Sequence, residues 1–232
     1  MDAVICPVGG GGLISGVAFA VKQLAPHVKV YGVQAANAAS MHDSLENGAP
    51  LTLASARTFA DGIAVKRPGD ITYDMVSKYV DQVVTVSEDE IAAAILALLE
   101  KQKVIAEGAG AVSVAAAMFG KLPIEGKKVV CLVSGGNIDV NILSRVITRG
   151  LITAGRNATL QVALEDKPGQ LLGVSRIISE CGANVVSVLH GHSEANSAVT
   201  SCTLTVGMET RDFAQIELIR QRLTEEGFHL LN

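Results

Sequence analysis

The sequence predicts an α/β chain in two parts: an open parallel-sheet domain over residues 1–147 and a smaller β-α-β-β-α-β domain over residues 157–232, with a linker at 148–156. Three observations carry that reading. An apolar run, four consecutive glycines and a helical apolar pattern follow one another at the start of the chain. A second β-branched run returns at Val28–Gln34, giving a β-α-β unit, and such a unit implies parallel strands because its connection carries the chain back along the sheet. Beyond Gly150 and Gly155 the alternation gives way to shorter, closely spaced strands.

Ala3–Cys6 reads as a buried strand and Leu13–Leu24 as a helix. Between them, Pro7-Val8-Gly9-Gly10-Gly11-Gly12 lets the backbone turn sharply. The first amides of a helix lack internal partners and lie at the positive end of its dipole, so a turn without Cβ atoms lets an anion, phosphate above all, approach them. The plainer alternative is a tight strand-to-helix connection. Neither the G-x-G-x-x-G spacing nor a P-loop Gly-Lys-Ser/Thr is present, so no dinucleotide is specified.

Asn37–Asn47 looks helical and stops at Gly48, with Pro50 beyond. Thr52–Pro68 lacks clear periodicity and contains Phe59-Ala60-Asp61-Gly62-Ile63; it either lines a pocket or crosses the surface. Tyr73–Tyr79 suggests a short helix, and Gln82–Val86 a third strand. Ser87-Glu88-Asp89-Glu90 is a capping box opening a helix to about Lys103. Ala106-Glu107-Gly108-Ala109-Gly110-Ala111 leads into an alanine-rich helix that stops at Gly120. Glu107 stands among small apolar residues, where a carboxylate needs partners unless it is solvated at a helix N-terminus. Lys128–Val133 reads as a fourth strand, followed by Ser134-Gly135-Gly136-Asn137-Ile138-Asp139. Ligands of open α/β sheets collect at the carboxyl ends of strands, which sets Gly9 and Ser134 at two ends that compete to face one crevice. Ser134 alternatively serves as a helix N-cap.

With 49% hydrophobic and 18% charged residues, the chain buries a sizeable core. A net charge of −4, 3% aromatics and no basic run argue against a nucleic-acid partner. No uncharged apolar run reaches the ~18 residues of a membrane span, and no signal peptide opens the chain, so the expected compartment is cytoplasmic with no membrane partner. The cysteines, Cys6, Cys131, Cys181 and Cys202, are too widely spaced for a zinc motif and read as structural thiols. His190 and His192 would share one strand face, but no third ligand is apparent, and no metal is assigned.

Four segments, Pro7–Leu13, Phe59–Gly62, Ala106–Ala111 and Ser134–Asp139, resemble in order and spacing the second half of a threonine dehydratase (threonine ammonia-lyase). The resemblance implies a partial pyridoxal-phosphate domain of fold type II, similar to the tryptophan synthase β chain. It implies that Gly9, Gly10, Gly11, Gly12 and Leu13 hold the phosphate of pyridoxal 5'-phosphate. Ser134 would hydrogen-bond the pyridine nitrogen, and Gly62 and Glu107 would line the cofactor cavity. A hydroxyl at that nitrogen leaves the ring largely neutral, a weaker electron sink than an aspartate partner would make, which favours prompt loss of a β-substituent. The family reaction is β-elimination of L-threonine or serine to a 2-oxo acid, 2-oxobutanoate from threonine, and ammonia. The family's Schiff-base lysine lies in a Ser-Phe/Tyr-Lys-x-Arg-Gly motif well before the glycine loop. It is expected upstream of Met1, so no catalytic residue is assigned and the chain alone is expected to be inactive. Relatives with a divalent-cation site carry carboxylates near positions held here by Gln34 and Ser40, so that site is not transferred.

In the second part, strands Thr159–Leu164, Asn184–His192, Ala198–Val206 and Phe228–Leu231 and helices Gln170–Glu180 and Asp212–Glu225 give the ferredoxin-like β-α-β-β-α-β order, with a turn at Ser193–Asn196. Asp166-Lys167-Pro168-Gly169-Gln170-Leu171 resembles the ACT-domain signature. That resemblance implies a regulatory domain that pairs side by side into a homo-oligomer and binds an amino-acid effector. Asp166, Pro168, Gly169, Gln170 and Leu171 would form the site, with Asn184 contributed across the interface. The alternative is a non-catalytic module that keeps the ACT domain for amino-acid sensing or oligomerisation.

Overall fold

A computed structural model of the chain describes residues 1–192 and 201–231. The chain folds as two compact units, Met1–Val146 and Ile147–Asn232. In the first, strands β1 (Ala3–Pro7), β2 (Lys29–Ala35), β3 (Gln82–Val86) and β4 (Val129–Cys131) form a parallel sheet in the order β3-β2-β1-β4. Helices α1 (Gly12–Leu24), α2 (Ser40–Asn47), α3 (Asp70–Tyr79), α4 (Glu88–Ala97), α5 (Gly108–Met118) and the first half of α6 (Val140–Thr153) complete it.

The two central strands, β1 and β2, are mostly apolar because both of their faces are covered. Alternation assigns the faces: Ala3 and Ile5 of β1, with Tyr31 and Val33 of β2, join Ile91, Ile95 and Val112 from α4 and α5. Val4 and Cys6, with Val30, pack on Ile14 and Ala18 of α1, Met41 of α2 and Val76 of α3. Burial pushes the Cys6 thiol up to about 11, which makes it inert packing. All four cysteines are free thiols.

The capping box opens α4: Glu90 N–H donates to Ser87 Oγ at 3.2 Å and Ser87 N–H to Glu90 Oε2 at 2.8 Å. That helix loosens earlier than its pattern suggests, into a wide turn over Leu98–Gln102. Of the segment read as a linker, 148–156, the part through Thr153 continues α6. Its residues Ile142, Leu143 and Val146 pack in the core at helical spacing, and one internal glycine, Gly150, does not break such a helix.

The second unit contains β5 (Asn157–Glu165), α7 (Gln170–Glu180), β6 (Asn184–His192), β7 (Ser201–Glu209), α8 (Phe213–Glu225) and β8 (His229–Leu230). Its strands form an antiparallel sheet in the order β6-β7-β5-β8. One face is apolar: Leu160, Val162 and Leu164 of β5 and Leu204 and Val206 of β7 pack with Ile177 of α7 and Ile219 of α8. The turn expected at Ser193–Asn196, and the start expected at Ala198 for the third strand of this part, lie outside the described residues. No described helix is long and apolar enough to cross a membrane.

Asp81, between α3 and β3, ties the first unit's edge together. Its carboxylate accepts from Lys22 Nζ at 2.6 Å, Lys29 Nζ at 2.7 Å and Val30 N–H at 2.8 Å. Partial burial acts to raise its pKa, but the hydrogen bonds from Lys22, Lys29 and Val30 prevail and hold it at about 2. A carboxyl depressed in the folded state contributes stability that is present above its unfolded pKa and lost as pH falls through the folded one. Asp81→Asn should therefore lower stability by about 1–2 kcal/mol at neutral pH. Thermal melts should show the gap between variant and parent closing between about pH 4 and pH 2. A gap independent of pH would contradict this.

Candidate functional site

β1 pairs with β2 on one side and β4 on the other, so the chain leaves the carboxyl ends of β1 and β4 in diverging directions and a crevice opens between them. A cavity of about 220 Å³ lies there, and its walls include Gly9, Gly10, Gly11, Gly12, Leu13, Gly62, Ile63, Glu107 and Ser134. All eight residues expected from sequence at a cofactor site thus border one space. The loop left open as pocket wall or surface crossing supplies Gly62 and Ile63.

Gly11 takes φ 93°, and a Cβ there would stand 2.6 Å from Met41 Cε and 2.9 Å from Thr72 Cβ. Only glycine fits both the angle and the space. Gly10 and Gly12 differ: a Cβ on Gly10 would meet only Val65, at 3.9 Å, and one on Gly12 nothing within 4 Å. Packing does not require glycine at either position, and the bare backbone there leaves room for a ligand to approach closely. The first bond of α1 runs from Ser15 N–H to Gly11 O at 3.0 Å, so the amides of Gly12, Leu13 and Ile14 precede the helical ladder. Among the described residues Glu107 is the one ionisable side chain on the cavity wall, and attraction for an anion therefore comes from those amides and the helix dipole.

Sequence reasoning missed Thr72, on α3. Its Oγ1 lies 2.5 Å from Gly10 O and 3.0 Å from Gly69 O, and shares its proton between them. Nothing local in the sequence marks this threonine, because the contact spans α3 and the glycine turn.

The Ala106–Ala111 motif is explained by close approach. Gly108 and Gly110 lie in the first turn of α5. A Cβ on Gly108 would stand 2.8 Å from Ala60 Cα, and one on Gly110 2.8 Å from Ser134 O and Gly135 O. Two loops thus lie against backbone rather than side chains. Glu107, the N-cap of α5, donates its N–H to Gly135 O at 3.3 Å and accepts from Asn137 N–H at 3.1 Å. Its carboxylate is bound to the loop after β4 rather than left to solvent. The N-cap alternative for Ser134 is overturned. Asp139 Oδ1 accepts from Asn141 N–H at 2.8 Å and Ile142 N–H at 3.2 Å at the start of α6, and Ser134 stands on the cavity wall.

In the second unit, Asp166, Pro168, Gly169, Gln170 and Leu171 occupy the junction of β5 and α7. Asn184 is not beside them. It pairs with Glu209, which also pairs with Asn157 at the start of β5, so it lies at the opposite end of the nine-residue strand. Its Nδ2 donates to Glu209 Oε2 at 3.0 Å. Within one chain the six residues do not converge.

A parallel sheet with a glycine-lined turn at a helix N-terminus, and a serine at a neighbouring strand end on the same cavity, is an arrangement that can receive a phosphate-bearing small molecule. The chain belongs to the pyridoxal-phosphate dependent enzymes, whose family pattern matches residues 1–135. It is 47% identical to the L-threonine ammonia-lyase of Thermotoga maritima over 230 residues, 99% of this chain and 57% of that protein. It is 46% identical to the catabolic L-threonine dehydratase TdcB of Escherichia coli K12 over 148 residues, 63% of this chain and 45% of that one. Among solved structures, processed threonine deaminase isoform 2 from Solanum lycopersicum matches at 40% identity and a TM-score of 0.60, over 64% of this chain and 41% of that chain. The chain spans about half the length of these relatives.

Gly110→Ala should push back the Ser134–Gly135 backbone and cost about 2–3 kcal/mol. Ala117→Gly on the same helix should cost only about 1 kcal/mol. Urea unfolding of both variants measures the difference; equal losses would show that the close approach carries no weight.

Proposed function

We propose that residues 1–147 are the part of a pyridoxal-phosphate-dependent threonine ammonia-lyase that holds the cofactor's phosphate and ring nitrogen. We further propose that 148–156 connect it to an ACT regulatory domain at 157–232. The observation that carries the first reading is that the Gly9–Leu13 turn and Ser134 border the same cavity. The match to L-threonine ammonia-lyase over 99% of the chain supports extending the reading into the second unit.

The residues present suit the cofactor. The amides from Gly10 to Leu13 would hold the phosphate dianion without a cationic side chain, so the seat would favour phosphate geometry over charge alone. Ser134 Oγ would donate to the ring nitrogen, and a hydroxyl there would leave that nitrogen largely unprotonated. Gly62 keeps a cavity wall free of side chain, and Glu107 fixes the loop that presents Ser134. When bound, the cofactor supplies an electron sink for β-elimination of the threonine or serine hydroxyl. No described lysine lines the cavity, so the reading places the Schiff-base lysine outside these 232 residues.

The ACT reading rests on the order of the described elements, the antiparallel sheet β6-β7-β5-β8 and the Asp166–Leu171 turn. β6 is an edge strand on which Val186 and Leu189 are 57% and 68% exposed, as suits side-by-side pairing with a second copy. That pairing would bring Asn184 of one copy toward the Asp166–Leu171 turn of the other, which a single chain does not do. The alternative, a non-catalytic amino-acid-sensing module, is favoured by the same lack of a described lysine on the cavity wall.

Equilibrium dialysis of the chain against pyridoxal 5'-phosphate and against phosphate-free pyridoxal tests the leading reading. Binding should require the phosphate. Gly12→Asp should weaken it by about tenfold or more while leaving the fold intact, because a carboxylate at a helix N-terminus suits the dipole but repels a phosphate. The chain should form no 2-oxobutanoate from threonine. Binding indifferent to the phosphate would refute the seat, and turnover would refute the placement of the lysine. Amino-acid-dependent stabilisation without any cofactor response would favour the sensing module.

A further inference from the structure

We propose that the second unit binds a divalent transition metal of the zinc class between Asp166, His190 and Cys202. The carboxylate, imidazole and thiol donor atoms of these residues all lie within 4.8 Å of one another. They come from three places that only the sheet brings together. Asp166 follows the last residue of β5, His190 is on β6, and Cys202 is the second residue of β7. Cys202 stands opposite Leu164 on β5 and His192 on β6, and His190 stands opposite Leu204, so His190 and Cys202 are two register positions apart.

A tetrahedral site with metal–ligand bonds of 2.0–2.3 Å has donor atoms about 3.3–3.8 Å apart. A closure of at most about 1.5 Å therefore completes the site. The side chains can supply it. Asp166 and His190 are exposed, whereas Cys202 is buried on the strand and is the fixed point of the group. Its thiol gives up one long contact to Leu164 O, at 3.6 Å, and its proton passes to solvent as the metal binds. One thiolate, one imidazole and one carboxylate suit zinc or cobalt over magnesium or calcium, which take oxygen ligands alone. Three protein donors leave one tetrahedral position for water or a small ligand.

A second group, His42, Asp43 and Glu46, has donor atoms within the same 4.8 Å limit. It comes from a single helix and has no sulfur, so it serves as an internal control.

The test is titration of the full chain, reduced and free of chelator, with Co²⁺ as the probe. The expected result is one equivalent bound, with a near-ultraviolet thiolate-to-cobalt band and intense tetrahedral visible bands, all displaced by Zn²⁺. Asp166→Asn and His190→Ala, both at exposed side chains, should weaken binding by about tenfold or more, since each removes one of three donors. Cys202→Ser should abolish the thiolate band, and His42→Ala should change nothing. The site is overturned by an absence of saturable binding, by binding without the thiolate band, or by a band that survives His190→Ala in a protein with native circular dichroism.

Discussion

The first turn of α5 has no room for side chains, and the site depends on that constraint. Backbone from the Phe59–Gly62 loop and from the loop after β4 lies against Gly108 and Gly110 at distances a Cβ would occupy. Because those loops are pulled onto the helix, Gly62 and Ser134 border the space into which β1 delivers the glycine turn. Glu107 secures the arrangement at one point by receiving Asn137 N–H. Thr72 does the same on the far side by holding Gly10 O. The cavity is thus shaped mainly by backbone, which is what a phosphate seat made of amides requires.

Much of the first unit was legible because its signals are local. The run from Ala3 to Leu24 changes from strand to glycine to helix within a few residues, and the Ser87–Glu90 box marks a helix start by itself. The candidate site was legible through spacing. Four short motifs, each tolerating few residue types for steric reasons, are brought to one cavity by a strand order in which β1 and β4 are neighbours.

What escaped the sequence is non-local. Thr72 acts on a carbonyl 62 positions away, and Asp81 gathers partners from α1 and β2. Asp139 rather than Ser134 caps α6, and the helix continues through residues that two nearby glycines made look like a linker. In the second unit, alternation along β6 placed His190 with His192 on one strand face, whereas Asp166 and Cys202 come near His190 only because the register sets β7 between β6 and the end of β5. The same register separates Asn184 from the turn at Asp166 within one chain.

Amides of the glycine turn and the serine after β4 are proposed to grip opposite ends of one small molecule. Amide chemical shifts followed by ¹H–¹⁵N NMR test this most directly. Inorganic phosphate should move the signals of Gly10–Leu13 and leave Ser134 and Gly135 in place, whereas pyridoxal 5'-phosphate should move both sets along a single binding curve. Separate curves for the two sets, or a silent Ser134, would contradict the account.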